Sequence, residues 1–314
     1  MRKAKAILND QRILLAIVIL LMVIIVGTIS PKFVQLSNIM AIFQQVSVLG
    51  VLTMCMSLLI ISGGIDLSLG NMMALSAVVV ASLLMQGKSL LLAVTAGVLT
   101  STVCGLFNGL IITTFQTIPL IITLGTGQIF NGISLLIAGG SFLQFENKLN
   151  FLREIKLFNY IPLMVAIMLL CVGFMGVLVN KTKFGRRVVA IGGNEKNAYL
   201  SGINVKLYKI IAYTLSGAMV SIAGLILASR LNSITANAGS GYELDAMVAC
   251  VMGGVTLDGG RGTIIGAFLG CLLTGVISNA LDILGVHAYV KIIITGAIIV
   301  TAVVLSNISS LKRE

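Results

Sequence analysis

The sequence predicts an all-α, polytopic membrane protein of about ten transmembrane helices, built as a single domain over residues 1–314. Three observations predict it. Of the 314 residues 58% are hydrophobic and 10% charged, whereas a soluble domain carries roughly 25% charged residues to cover its surface. Stretches almost free of charge and long enough to cross hydrocarbon recur along the whole chain. Lys and Arg gather on alternate connections between those stretches. A water-soluble enzyme is excluded. The dominance of aliphatic residues and the lack of period in Gly and Pro also exclude a disordered or fibrous chain.

The expected spans are 13–30, 39–62, 67–85, 89–112, 118–139, 160–179, 210–229, 244–257, 262–281 and 288–305. A span needs roughly 20 mainly apolar residues. The eighth is the weakest, being short and containing Asp245. The first follows a basic start (Arg2, Lys3, Lys5, Arg12) but has no small-residue cleavage site, so it reads as an uncleaved span.

Ten crossings put both termini on one side. With the N-terminus inside, 14 of the 21 Lys and Arg fall on inner segments and 7 on outer ones, the bias of a cytoplasmic N-terminus. The inner segments that hold them are then 1–12, a long loop at 181–209 with seven of the basic residues, the short turn with Arg261, and 306–314. The net charge of +11 is thus a topology signal. Nucleic acid is not expected, since Trp is absent and aromatic residues make up 6%. Cys55, Cys104, Cys171, Cys250 and Cys271 all lie in apolar runs without C-x-x-C spacing, which leaves them as small hydrophobes and supports no metal site.

Helices in a bilayer approach closely through small residues. Gly105 and Gly109 form one G-x-x-x-G pair, and Gly262, Gly266 and Gly270 repeat at the same spacing. Residues 63–81 (GGIDLSLGNMMALSAVVVA) and 239–254 (GSGYELDAMVACVMGG) share a glycine break, an acidic residue and a small-residue helix. In the ten-span topology the two breaks face opposite sides, as an inverted repeat of spans 2–5 and 7–10 requires, and such breaks point to a transport pathway.

Asp66, Glu243 and Asp245 sit beside span ends next to glycines. Acidic residues at membrane depth are costly and raise a functional expectation. They either fix a broken helix or gate by accepting from exposed N–H groups, or they are interfacial caps wetted by headgroup water. The polar residues inside the spans are neutral: Gln44, Gln45, Asn71, Asn108, Gln128, Asn131 and Asn279. Amides donate and accept, so they suit either a lumen for an uncharged polyhydroxylated solute or hydrogen bonds between helices.

In the loop 181–209, Gly193 and Asn194 can start a short helix over 195–201, with Glu195 in its first turn and Gly202 as its stop. A helix of that length is unstable alone and needs a surface, either a partner protein or anionic lipid. No phosphate loop of the G-x-x-x-x-G-K-[ST] kind occurs, GGRGT at 259–263 lacking the Lys-Ser/Thr pair. Nor is there a chain of intramembrane titratable groups to relay protons, and the one histidine, His287, reads as a solvated loop residue. If the chain pumps, a partner must hydrolyse the nucleotide. No catalytic constellation, cofactor or metal site is expected.

Seven blocks carry a family resemblance: QQVSV (44–48), GIDLSLG (64–70), IPLIITLGT (118–126), FGRRVVAIGGNEKNAYLSGI (184–203), GYELDA (241–246), GGVTLDGGRG (253–262) and LGVHAY (284–289). Through them the chain resembles the membrane-spanning permease of bacterial ABC sugar importers, in the ribose-type branch of the branched-chain amino acid/ribose permease family. The resemblance implies an inverted-repeat importer fold in the bacterial cytoplasmic (inner) membrane. It implies ATPase subunits, an extracytoplasmic sugar-binding protein and a second permease copy as partners, beside membrane lipid. It also implies that Gly193, Asn194, Glu195, Ala198, Ser201 and Gly202 form the ATPase-coupling element. The chain departs from the family pattern at Asn131, where an Arg-Gly pair is usual, and at Asp258, Asp282, His287 and Lys291. The function implied is ATP-driven uptake of a monosaccharide, ribose first. Other pentoses or hexoses, autoinducer-2 and nucleosides remain open as solutes, as does a secondary transporter.

Overall fold

The structure is a computed structural model and describes residues 11–287, 289–294, 296, 297 and 300. The expected C-terminal segment 306–314, nearly all of 1–12 and part of the tenth span lie outside the described residues.

The helices are α1 (Gln11–Ile29), α2 (Leu36–Ile61), α3 (Leu69–Met85), α4 (Leu90–Phe115), α5 (Pro119–Ala138), α6 (Phe151–Glu154), α7 (Leu163–Lys181), α8 (Lys183–Gly193), α9 (Glu195–Leu200), α10 (Val205–Leu231), α11 (Tyr242–Met252) and α12 (Ile264–Ile283). Among the described residues four two-residue strands form two ladders: β1 (Leu143–Gln144) with β4 (Ser233–Ile234), and β2 (Lys156–Leu157) with β3 (Ile161–Pro162). Among the described residues seven helices are long and apolar enough to cross a membrane: α1, α2, α4, α5, α7, α10 and α12.

The third and eighth expected spans come out shorter, as 17-residue α3 and 11-residue α11. Both crossings are broken. Residues 62–68 and 232–241 run without α-helix before each short helix begins. At 1.5 Å per residue α3 is about 25 Å long and α11 about 16 Å, so α11 needs its non-helical lead to complete a crossing. Hydrocarbon tolerates such backbone only where protein satisfies it. In the first break Gly64 N donates to Leu59 O at 2.9 Å, Leu67 N donates to Thr123 Oγ1 at 3.0 Å, and Ile65 O accepts from Tyr213 Oη at 3.1 Å.

The long helices α2 and α10 form the centre of the bundle, and most of their surface is buried. Each belongs to one half of the chain and packs onto the other half: α2 lies on α11 and α12, α10 on α3 and α4, and the two pack on each other. This exchange is the contact pattern of a pseudo-twofold repeat. Gly105 and Gly109 let α4 lie against Tyr213 and the backbone of Ile210 and Gly217 on α10. The expected glycine triple on the ninth span is only partly helical. Gly266 and Gly270 pack against Gly253 and Ala249, while Gly262 stands before α12 with φ +141°, in the turn.

Large apolar side chains on α1, α4, α5 and α7 point outward, as lipid-facing surfaces require. The connections gather alternately at the two ends. One end joins β1 to β4, Ser229 Oγ to Leu149 O (2.7 Å), Lys148 Nζ to Leu84 O (2.8 Å) and Asn38 to Asn279. The other joins Gln11 to Met252 O (3.2 Å) and brings Gly63, the 181–209 segment and Gly259–Gly260 together. That second end is called the elbow end below.

The 181–209 segment is more structured than expected. Besides the short helix it holds α8, an amphipathic helix whose Val188 and Ile191 are buried. The charged Lys183, Arg186 and Arg187 had masked its apolar face in the reading for spans.

Candidate functional site

The two broken crossings meet inside the bundle. The backbones of Gly70 and Gly239 are in contact, so that a Cβ on either would overlap the other's carbonyl oxygen. The start of α3 therefore faces the lead of α11, and the positive ends of two helix dipoles converge.

Asp66 lies behind this junction with 1% of its surface exposed, so the wetted-cap alternative does not hold for it. Its Oδ1 accepts from Ser68 N (2.8 Å) and Ser68 Oγ (2.5 Å), and its Oδ2 from Asn108 Nδ2 (3.1 Å). Asn108 Nδ2 also donates to Ser68 Oγ at 2.9 Å. The network ties the first break to α4. Thr123 adds α5 and Tyr213 adds α10, so three helices hold one seven-residue break.

Glu243 is half-buried in the first turn of α11, where Oε1 accepts from Gly241 N at 3.2 Å. Asp245 is exposed, on the rim of a cavity of about 660 Å³ with Gln45, Arg230, Tyr242, Ser278 and Lys291.

The amides expected to line one lumen fall in three places. Asn71 is half-buried beside Gly127 of α5, next to the exposed Gln128; Asn131 Nδ2 donates to Asn237 Oδ1 at 2.9 Å, joining α5 to the lead of α11. These stand around the junction, with Asn108 behind it. Gln45 Nε2 donates to Ser278 Oγ (2.9 Å), joining α2 to α12, with the half-buried Gln44 beside it. Asn279 exchanges hydrogen bonds with Asn38 (2.9 and 3.1 Å) at the end opposite the elbow. Gln45 and Asn279 thus bond between helices, the alternative use of a membrane amide.

At the elbow end, Asn194 caps α9 by accepting from Asn197 N at 2.8 Å, and Gly202 stops it with φ +80°. A small core of Ile191, Ala198 and Val205 seats α9 on α8 and α10. Glu195 pairs with Lys209. Arg187 donates to Tyr208 Oη and lies 5.2 Å from the centre of that ring. Ala198, expected as a contact residue, is 4% exposed and serves to dock the helix. Tyr199 and Leu200, which the sequence reading did not single out, are 71% and 72% exposed. Beside them opens a cavity of about 1290 Å³, lined in part by Gln116, Thr117, Glu195, Lys206 and Lys209.

Sequence reasoning also missed Ser68, Thr123, Tyr213 and Asn237. Of these, Tyr213 carried a signal, because a tyrosine inside an apolar helix needs a partner for its hydroxyl. Among the described residues no group of three or more His, Cys, Asp or Glu could hold a metal ion, and the five cysteines are buried and unpaired with one another.

The chain is 39% identical over 292 residues to the ribose import permease protein of Bacillus subtilis, covering 91% of this chain and 90% of the relative. It is 36% identical over 311 residues to the ribose import permease protein of Escherichia coli K12, covering 96% and 95%. The galactose/methyl galactoside import permease protein of Escherichia coli K12 is 37% identical over 330 residues, covering 98% and 96%. No solved structure matches the chain. Residues 38–303 match the family described as branched-chain amino acid transport system/permease component, and the chain, a multi-pass protein of the bacterial inner membrane, belongs to that family.

Proposed function

We propose that this protein is the membrane-spanning permease of an ATP-driven monosaccharide importer, with ribose as its first candidate solute. Relatives named as ribose and galactose permeases, each matched over nine-tenths or more of its length, support the sugar class. The observation that carries the reading is α9. It presents Tyr199 and Leu200 to the outside at the elbow end, the side that the charge bias supports as cytoplasmic, and it follows directly on the end of α8, whose Gly192 and Gly193 lie against the feet of both broken crossings.

In this reading the chain supplies the path and partner ATPases supply the energy. Gly193, Asn194, Glu195, Ser201 and Gly202, with Tyr199 and Leu200, meet the ATPase, and Ala198 anchors the element. An extracytoplasmic binding protein delivers the sugar to the opposite end. Gln128, Asn237, Ser240 and Asp245 are exposed on or beside crossings. A polar surface at that depth needs cover other than lipid, and a second copy related by twofold symmetry would close a polar path over it. Neutral amides there suit sugar hydroxyls, which both donate and accept.

The test is reconstitution in vesicles with candidate ABC ATPases and sugar-binding proteins, measuring uptake of labelled ribose, galactose and allose. ATP-dependent ribose accumulation is expected. Accumulation by the lone chain, driven by an ion gradient, would establish the secondary-transporter reading instead.

A further inference from the structure

Three stretches of backbone meet at the elbow end with no side chain between them. Gly260 N donates to Ile61 O at 3.0 Å, joining the turn before α12 to the end of α2. The last turn of α8 is wedged against both. A Cβ on Gly192 would overlap Ile61 O and lie 2.6 Å from Gly260 N. A Cβ on Gly259 would lie 2.9 Å from Gly192 O and 2.9 Å from Gly63 Cα, and one on Gly260 would overlap the backbone of Gly193. Gly63, Gly259 and Gly260 hold φ of +75°, +86° and +67°, a region that favours glycine.

The connections leaving this point are what give it meaning. From Gly192 the chain passes through Gly193 and Asn194 directly into α9. From Gly63 it enters the first broken crossing and reaches Asp66 and the start of α3. Before Gly259 lies the end of α11, the helical part of the second broken crossing, and after Gly260 comes α12. One backbone contact therefore joins α9 to the feet of both crossings.

We propose that this glycine knot is the transmission element of the protein. Gly63, Gly192, Gly259 and Gly260 act as positioning residues that make α9 and the feet of the two crossings one rigid body. Side chains between packed helices can change rotamer and absorb a small displacement. Backbone in direct contact has no such freedom, so a push on α9 moves residues 62–68 and 253–262 together. The inference rests on the reading that a partner ATPase engages α9.

Two measurements test it on the assembled complex. In the first, Gly192→Ala and Gly260→Ala are compared with Gly173→Ala, where nothing lies within 4 Å of the added methyl. Overpacking at the knot is expected to lower ATP-driven uptake by about tenfold or more while the ATPase still co-purifies, and Gly173→Ala is expected to leave uptake unchanged. Unsubstituted uptake rates in Gly192→Ala would overturn the proposal.

The second measurement leaves the knot intact. Spin labels on cysteines at Lys196 and Asp258, both exposed, and at Arg153, exposed near the opposite end, report distances with and without trapped ATP; the five native cysteines are buried. The Lys196–Asp258 separation is expected to stay fixed while Lys196–Arg153 changes. A change of about 5 Å or more between Lys196 and Asp258, the size of a one-turn slip, would show that the knot opens and would refute its role. That result stands even where an alanine variant fails to assemble. Absence of ATP-driven uptake in the unsubstituted complex would instead count against the transport reading, and the label distances would still judge the knot.

Discussion

Glu243, in the first turn of α11, fills with Oε2 the space where Gly70, in the first turn of α3, carries no side chain. The two residues belong to opposite halves of the chain. One carboxylate therefore sits at the N-terminal ends of two short helices, where the dipoles of both favour negative charge. Gly70→Ala drives a methyl into Glu243 Oε2 and the Gly239 carbonyl. The expected cost is about 1–3 kcal/mol, read as a lower melting temperature in detergent. Gly176→Ala, with nothing within 4 Å, serves as the comparison and should melt like the unsubstituted protein. Equal melting of both variants would show that the crossings are not packed against each other.

Removing Asp66 strips three hydrogen bonds from the first broken crossing at once. Asp66→Ala leaves Ser68 N and Ser68 Oγ without Oδ1, and Asn108 Nδ2 without Oδ2. Unsatisfied buried donors cost about 1–3 kcal/mol each when nothing replaces the partner, so the variant should insert poorly or melt early. Asp66→Asn keeps one acceptor oxygen for Ser68 N and should fall between the two. If Asp66→Ala melts with the unsubstituted protein, the network does not hold the crossing.

Most spans were legible because hydrophobic length alone marks a membrane helix, and α2, α5 and α10 lie close to their expected stretches. The breaks were legible too, through Gly63-Gly64 and Gly239-Ser240-Gly241 beside acidic residues. What composition could not give was the partner of each polar group. Asn108 and Gln45 look alike in sequence, yet one is tied to a buried carboxylate and the other to a serine on a neighbouring helix. Helix α8 was missed because its charges suppress a hydropathy signal while its apolar residues keep helical spacing. The burial of Ala198 was not legible for a related reason: no sequence pattern told which face of a six-residue helix is docked.

The Asn131–Asn237 bond links α5 to the lead of α11. Membrane hydrogen bonds between side chains average about 0.6 kcal/mol in double-mutant cycles, so stability should change little in Asn131→Ala, Asn237→Ala or the pair. If these amides also face the solute, uptake should respond more than stability does. The expected outcome is a raised half-saturating sugar concentration in each single variant with a near-normal melting temperature. A double variant no worse than either single one would show that the two amides act as a unit. Unaltered uptake in all three would remove this pair from the path.

The elbow makes the sharpest demand on the coupling assignment. Glu195 and Lys209 form an ion pair in which the glutamate side chain is 58% exposed, and such surface pairs contribute about 0–1 kcal/mol. Glu195→Lys should therefore insert and fold, while setting a second cation beside Lys209 and reversing the charge that α9 offers a partner. Deleting 194–201 is harsher, since it also takes Ala198 out of the small core with Ile191 and Val205. Both variants are expected to reach the membrane and to lose most ATP-driven uptake, about tenfold or more for the reversal if it removes one coupling contact of 1–3 kcal/mol. Glu195→Gln, which removes the charge without reversing it, should retain more. Normal uptake in Glu195→Lys would mean that the partner grips the protein elsewhere.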